Sequence, residues 1–319
     1  MPTRISYNLS DGHLAGVGPA GEGMPEDTRG FVYASVLQQA SEELAAQVHA
    51  TNGYKAFTIS RLIKPRTSAQ RSASPRREQR TASQGHNAGG GHDAASDRVP
   101  RPAGAHRGGA AAGAGRAGGD DNGDGRRTLR LTALTAEVAD AFFTGLATYL
   151  ASGQPIRIGD MLLEVDQERG PVTVHSQAEY SELAEAAPAG LVVLKALSPT
   201  TFTDGGRQVP LPMPGVCFGS LARKWNAFAP AEVRIPEAVE EALRESVAVC
   251  RHDISTRPVR MRSHVEIGFV GTVGFRLMSW DGGLRRWFGA LGRFAEYAGL
   301  GAHTTLGMGQ TAVVQVGDN

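Results

Sequence analysis

Cysteine is almost missing from this chain: Cys217 and Cys250 are the only two in 319 residues, and they form no C-x-x-C pair. That excludes a disulfide framework and a cysteine-built zinc site, and a reduced, cytoplasmic setting is expected. Long apolar runs are missing too. None approaches the roughly 20 residues that cross a bilayer, and Met1-Pro2-Thr3-Arg4-Ile5 has neither the basic region nor the apolar run of a secretion signal. No membrane association is expected. The chain also lacks an excess of either charge. Lys+Arg number 33 and Asp+Glu 32, a net charge of +1, so a polyanion would have to be held by a local patch rather than by the global field. Ligand spacing is absent as well: His175, His252 and His264 neither pair nor join a Cys/Asp/Glu cluster, and no metal or other cofactor is expected. His13 falls in a polar, glycine-rich loop where solvation is the simplest role, and His86, His92 and His106 fall in a low-complexity block.

That block divides the chain. Between Lys64 and Thr128 the only aliphatic or aromatic residue beyond alanine is Val99. A segment so poor in apolar surface cannot offset the entropy of ordering it, and residues 64–127 are expected to be a disordered insert. Twelve Lys/Arg against six Asp/Glu there could tether RNA by charge. A tolerated loop insertion is the simpler reading, since lengthening a surface loop costs little, and an out-of-frame stretch of GC-rich coding sequence would have the same composition.

Outside the insert the hydrophobic pattern is regular. Arg4 to Leu9 reads as a strand, Arg29 to Ala50 as helical and Ala56 to Ile63 as a strand. Then come a strand from Thr128 to Leu134, a helix from Thr135 to Ala151 with Thr135 as N-cap and Glu137 in its first turn, and a strand from Ile156 to Val165. The order is β-α-β-β-α-β, the ferredoxin-like module shared by RRM domains. The second half repeats it. Leu191 to Leu197 is a strand, Gly215 to Phe228 and Pro236 to Cys250 are helices, and Val259 to Phe269 with Thr272 to Met278 read as a hairpin about Val270-Gly271. Leu284 to Ala298 is a periodic helix with Leu284, Trp287, Phe288, Leu291 and Phe294 on one face, and Gln310 to Val316 is the last strand. The predicted class is therefore α+β: tandem ferredoxin-like domains at 1–185, carrying the insert, and 186–319. The aromatic signature with which RRM strands stack bases is absent.

A glycine-rich loop at 299–309, Gly299-Leu300-Gly301-Ala302-His303-Thr304-Thr305-Leu306-Gly307-Met308-Gly309, joins the last helix to the last strand. Glycines without Cβ atoms can turn N–H groups onto an anion and let a bulky ligand lie against the main chain. An unliganded αβ connection would use the same residues. In the first half, His49 closes a helical stretch and Lys55 opens the next strand. An imidazole that titrates near neutrality and an ammonium that stabilises developing phosphate charge suit attack on a phosphodiester, although a histidine at a helix end is often only a cap.

Four stretches together resemble a known family. They are His49-x-x-x-Gly53-x-Lys55-x-Phe57-Thr58-x-Ser60, Leu129-Arg130-Leu131-Thr132-Ala133-Leu134, Leu197-Ser198-Pro199-Thr200-Thr201-Phe202, and the glycine loop preceded by Ala295-Glu296-Tyr297-Ala298. In that order and spacing the chain resembles the CRISPR-associated, repeat-processing endoribonucleases of the RAMP superfamily. The resemblance implies a Tyr-His-Lys constellation, and Gly30-Phe31-Val32-Tyr33 matches the stretch holding the tyrosine, which gives Tyr33, His49 and Lys55. A continuous helix would hold positions 33 and 49 roughly 24 Å apart, so a break is expected at Ser41-Glu42-Glu43, with short helices over Gly30 to Gln38 and Glu42 to Val48.

The implied chemistry is attack of a ribose 2′-OH on the adjacent phosphate without a metal, giving a 2′,3′-cyclic phosphate and a 5′-OH. His49 would move the proton, Lys55 would stabilise the phosphorane and Tyr33 would position the nucleophile. Gly299, Gly301, His303, Thr304, Gly307 and Gly309 are expected to hold repeat RNA, with Lys195 and Ser198 close to the binding cleft. Arg223, Lys224, Arg260 and Arg262 are candidate backbone contacts, Arg260 and Arg262 by alternation on one sheet face. The implied partners are CRISPR repeat RNA and, beyond it, subunits of an interference complex or a second copy of the chain. Two other classes use the same folds: a non-catalytic RNA-binding subunit, and a tandem-ferredoxin scaffold.

Overall fold

A computed structural model describes residues 1–11, 25–32, 53–61, 63 and 126–318, all within one compact unit. The first six strands are β1 (Thr3–Asp11), β2 (Phe57–Ile59), β3 (Arg126–Ala133), β4 (Ile156–Ile158), β5 (Met161–Val165) and β6 (Val172–Gln177). They form one antiparallel sheet in the order β2-β3-β1-β5-β4, with β6 also paired to β1. This is the ferredoxin-like order with its fourth strand divided: β6 runs beside Thr3 to Tyr7, and β5 beside Leu9 to Asp11. Alternation turns Ile5, Tyr7, Leu9, Leu129, Leu131, Phe57 and Ile59 to one face. There they meet Val138, Phe142 and Leu146 of α2 (Ala136–Ser152), which follows the short α1 (Pro25–Phe31) in the chain. Tyr7 is fully buried, and its hydroxyl donates to the Phe142 carbonyl at 2.6 Å, so its desolvation is compensated. Thr135 caps α2 as its position predicts, accepting from the Val138 N–H.

The second sheet runs β10-β11-β7-β12 and is again antiparallel. Its strands are β7 (Leu191–Thr200), β10 (Val247–Arg260), β11 (Val265–Leu277) and β12 (Thr311–Gly317), while β8 (Phe202–Asp204) and β9 (Arg207–Val209) make a separate small hairpin. After the one-and-a-half-turn α3 (Tyr180–Glu185) come α4 (Pro214–Phe228), α5 (Glu237–Ser246) and α6 (Gly282–Ala298). Phe218, Leu221 and Trp225 of α4 and Phe288, Leu291 and Phe294 of α6 bury against Val192, Leu194, Val273 and Phe275. Trp225 sits edge-on to Tyr180, Trp287 and Phe294 at 5.0 to 5.8 Å, and this aromatic cluster anchors α3 to the layer of helices.

Four expectations are corrected. The strand over Ile156 to Val165 is a hairpin broken at Gly159, whose φ is +60°. The helix expected over Pro236 to Cys250 ends at Ser246, because Val247 starts β10 in register with Leu277. The hairpin does not turn at Val270-Gly271 but at Met261 to His264, closed by the Met261 N–H on the His264 carbonyl at 2.9 Å. Gly271 instead lies inside β11 at φ +120°, where a Cβ would come within 2.2 Å of the Asp253 carbonyl oxygen: it is a close crossing of strands, not a turn. Arg260 therefore ends β10 while Arg262 lies in the turn, and the two do not share a strand face. Strand β6 and helix α3 were not anticipated.

Candidate functional site

The glycine loop packs against the first sheet and against β7. Its glycines allow the protein's own backbone segments to approach. A Cβ on Gly301 would lie 2.1 Å from the Thr201 carbonyl oxygen, one on Gly309 2.2 Å from the Leu300 carbonyl oxygen, and one on Gly307 2.6 Å from Cγ of Arg61. All four loop glycines have positive φ. Much of the loop's N–H complement is engaged internally: Ala302 N–H on the Thr201 carbonyl, Gly309 N–H on Pro199, Leu300 N–H on Gly309, and both Leu306 and Met308 N–H on His303. Ser198 joins this lacing, its Oγ accepting from the Gln310 N–H at 2.9 Å. The general idea that the glycines free the main chain for close approach is realised first against Pro199-Thr200-Thr201.

Lys224 is turned inward. It is only 6% exposed, and its Nζ donates to the carbonyls of Ala298 at 3.1 Å and of Gly299 and Gly301 at 3.3 Å. Those are the last carbonyls of α6 and the first of the loop, the negative end of a helix, where a cation belongs. Burial lowers its pKa to about 8. The expected RNA contact is thus replaced by a fastening for the loop. Arg223, next to it on α4, is exposed, and its Nε donates to Tyr54 Oη at 2.9 Å.

Lys55 follows Tyr54, the residue whose hydroxyl Arg223 holds. Burial first, and then the Arg29 guanidinium of α1, lowers its pKa from the ordinary lysine range. Tyr33 directly follows Val32, and His49 precedes Gly53 by four positions. Both lie outside the described residues, as do most of the two short helices expected around them. The segment that follows Lys55, which includes β2, is stitched to the glycine loop. Ser60 pairs with Gly307 in a parallel bridge, and Gln310 Nε2 donates to Thr58 Oγ1 at 3.0 Å. Thr58 and Thr132 share a 2.8 Å hydroxyl contact, and Thr132 Oγ1 donates to the Tyr297 carbonyl at 2.5 Å.

The remaining candidates scatter. Lys195 stands exposed on β7, in register with Thr272 and Ala312. His303 has a left-handed backbone, φ 58°, and opens the 3-10 turn Thr304–Leu306. Its Nε2 lies 3.6 Å from Glu266 Oε1, which also contacts His264 Nε2 at 2.9 Å, so one carboxylate of the hairpin faces two imidazoles. Thr304 presses its Cγ2 to within 3.1 Å of where a Cβ on Gly299 would be.

Sequence reasoning missed a polar cluster on the face of the first sheet that is turned to α6. Arg4 reaches Glu296 of α6 at 3.2 Å, and Arg130 stands nearby with its buried Nε lacking a hydrogen-bond partner. His175 of β6 is there too, its pKa lowered by burial and by Arg4 and Arg130. Strand alternation carried the signal for two of them, since Arg4 and Arg130 fall on the face opposite Ile5 and Leu131. Among the described residues, no group of three or more His, Cys, Asp or Glu side chains could hold a metal ion, and no helix is long and apolar enough to cross a membrane.

Residues 194–311 match the family model described as CRISPR-associated endoribonuclease Cas6. A CRISPR-associated endoribonuclease Cas6 from Mycobacterium tuberculosis is 30% identical over 117 residues, 37% of this chain and 37% of that protein. The sequence match thus spans under half of the curated relative. The fold likeness is wider. A Cas6 product complex from Thermus thermophilus superposes with TM-score 0.68 at 20% identity over 98% of this chain and 100% of that one. A second Cas6 product complex gives 0.64 at 23% identity over 98% and 99%. The expected likeness to CRISPR-associated endoribonucleases is found over residues 194–311, and the tandem ferredoxin-like class holds across the fold.

Proposed function

We propose that the protein is an endoribonuclease that cuts CRISPR precursor RNA within its repeats to release guide RNAs, working without a metal. One observation carries the reading: the glycine loop, inside the segment that matches the Cas6 model, is stitched through Gly307 and Ser60 to the short stretch of chain that begins with Lys55. RNA in the cleft between the first module (1–185) and the second (186–319) would touch both.

The chemistry is in-line attack of the ribose 2′-OH on the neighbouring phosphorus. The P–O5′ bond breaks, the 2′ proton is taken up and the 5′ oxygen gains one, leaving a 2′,3′-cyclic phosphate and a 5′-OH. His49 moves protons, Tyr33 positions the 2′-OH, and Lys55 lies against the charge that builds on the equatorial oxygens. Arg29 beside Lys55 adds to the field that favours the phosphorane, and it makes the Lys55 proton easier to lose. His303, Thr304 and the loop glycines, together with Lys195, hold the repeat backbone, in the cytoplasm, with no membrane component.

The test is incubation of the purified protein, in EDTA, with labelled RNA carrying the repeat of the CRISPR array in the same genome. A single cut with a cyclic phosphate end supports the reading. A 2′-deoxyribose at the cut position should bind and stay whole, and cutting of that analogue refutes the mechanism. A gel shift without cutting indicates a binding subunit, and neither outcome a scaffold.

A further inference from the structure

Arg223 and Lys224 are neighbours on α4, and consecutive helical residues diverge by about 100°. Each reaches a distant part of the chain. Lys224 holds the carbonyls of residues 298, 299 and 301, and Arg223 holds the hydroxyl of Tyr54. Arg223 is itself steadied by Glu240 of α5, whose carboxylate lies 3.4 Å from Arg223 Nη1 and 3.0 Å from Arg244 Nη2. Gly219, one turn earlier on α4, leaves room for both guanidinium groups: a Cβ there would sit 3.1 Å from Arg244 Nε and 3.3 Å from Arg223 Nη1.

The segment from Tyr54 to Ser60 is therefore fixed to the second module at three points, Tyr54 by Arg223, Thr58 by Gln310 and Ser60 by Gly307. Ala56 between them packs against both hydrophobic cores. Lys55 sits between the first two attachments, next to the Arg223 latch.

Resting on the reading of Lys55 as a catalytic residue, we infer that Arg223 is a positioning residue acting through Tyr54, and that α4 registers the Lys55 segment against the glycine loop it holds with Lys224. Arg223 does not act as an RNA contact. A latch between exposed groups alters how often Lys55 occupies its productive position, and a catalytic group misplaced by a fraction of the reactive distance lowers turnover without weakening substrate binding.

The experiment is a double-mutant cycle on the full chain with the same repeat RNA, comparing Arg223→Met, Tyr54→Phe and both together. Single-turnover cleavage rates, RNA dissociation constants across a salt series and melting temperatures are read for each. The expected result is an equal loss of rate, roughly three- to tenfold, in both single variants. The double variant should be no slower than either single one, with dissociation constants and salt slopes as in the wild type. Losses that multiply in the double variant overturn the inference. So does weaker binding with a shallower salt slope in Arg223→Met alone, the signature of a lost phosphate contact. Lys55→Ala is the separate control. If it cuts at the wild-type rate, the catalytic reading itself fails, whatever the cycle shows.

Discussion

Replacing Gly301 with alanine separates two costs that the glycine loop avoids. At φ +80° an alanine pays the left-handed penalty of about 1–2 kcal/mol. Its Cβ would also lie 2.1 Å from the Thr201 carbonyl oxygen, where contacts under 3.0 Å are essentially never tolerated. The loop must retreat, and the 2.8 Å bond from the Ala302 N–H to that same oxygen is lost, another 0.5–1.5 kcal/mol or so. The total is about 1.5–3.5 kcal/mol, which at about 2–4 °C per kcal/mol for a unit of this size lowers Tm by roughly 3–14 °C. Two control glycines dissect the sum. Gly153 has φ +64° with nothing within 4 Å of a Cβ, so Gly153→Ala should cost the backbone strain alone, about 1–2 kcal/mol or a fall of roughly 2–8 °C. Gly282, the first residue of α6, has open space and no positive φ, and Gly282→Ala should be neutral or slightly stabilising. Calorimetry on the three variants decides it. If Gly301→Ala melts no lower than Gly153→Ala, close approach to Thr201 is not what this glycine provides.

Three further outcomes follow from particular contacts. Thr132 donates to the Tyr297 carbonyl, so the proton in its contact with Thr58 must come from Thr58, whose oxygen accepts from Gln310. Thr132→Val breaks this relay in the middle and should cost about 2–4 kcal/mol in urea unfolding, because it strands two buried groups. Lys224 has its folded pKa lowered to about 8 from an ordinary 10.5. Between those values the unfolded chain holds a proton that the folded one has released, so stability should rise with pH across that window, by about 1 kcal/mol per unit at most. Lys224→Met should lack that slope, and an identical slope in both proteins contradicts the assignment. Of the two thiols, Cys250 is exposed, while Cys217 is buried with its pKa pushed up by desolvation. A thiol reagent should modify one cysteine in the native protein and none in Cys250→Ser.

The sequence was most informative where hydrophobic periodicity was strong. The α2 cap at Thr135, the α6 stripe and both module orders could all be read because their buried faces alternate cleanly. It misled where a strand has no buried face. Strand β10 is exposed along most of its length and β6 carries Thr173, His175 and Gln177 outward, so neither shows the period that marks a half-buried strand. Gly271 misled for another reason: a glycine that admits a crossing backbone and a glycine that turns the chain are the same letter. Lys224 was legible as a cation but not as an inward-facing one, since its three acceptors lie more than seventy positions away. Of the proposed catalytic set only Lys55 lies among the described residues, and its place near Arg29 depends on an approach of α1 to the segment before β2 that no local pattern encodes.

Ile63 and Thr128 exchange both backbone hydrogen bonds at 2.9 Å, two residues after Arg126 has joined the sheet opposite Ser10. The described chain therefore departs from the first sheet and returns to it at neighbouring points. The rung of Ile63 and Thr128 is the natural place to open the polypeptide: a circular permutant with its new ends there, or a chain carrying a fluorescent protein in place of residues 64–125, should keep both sheets and the glycine loop.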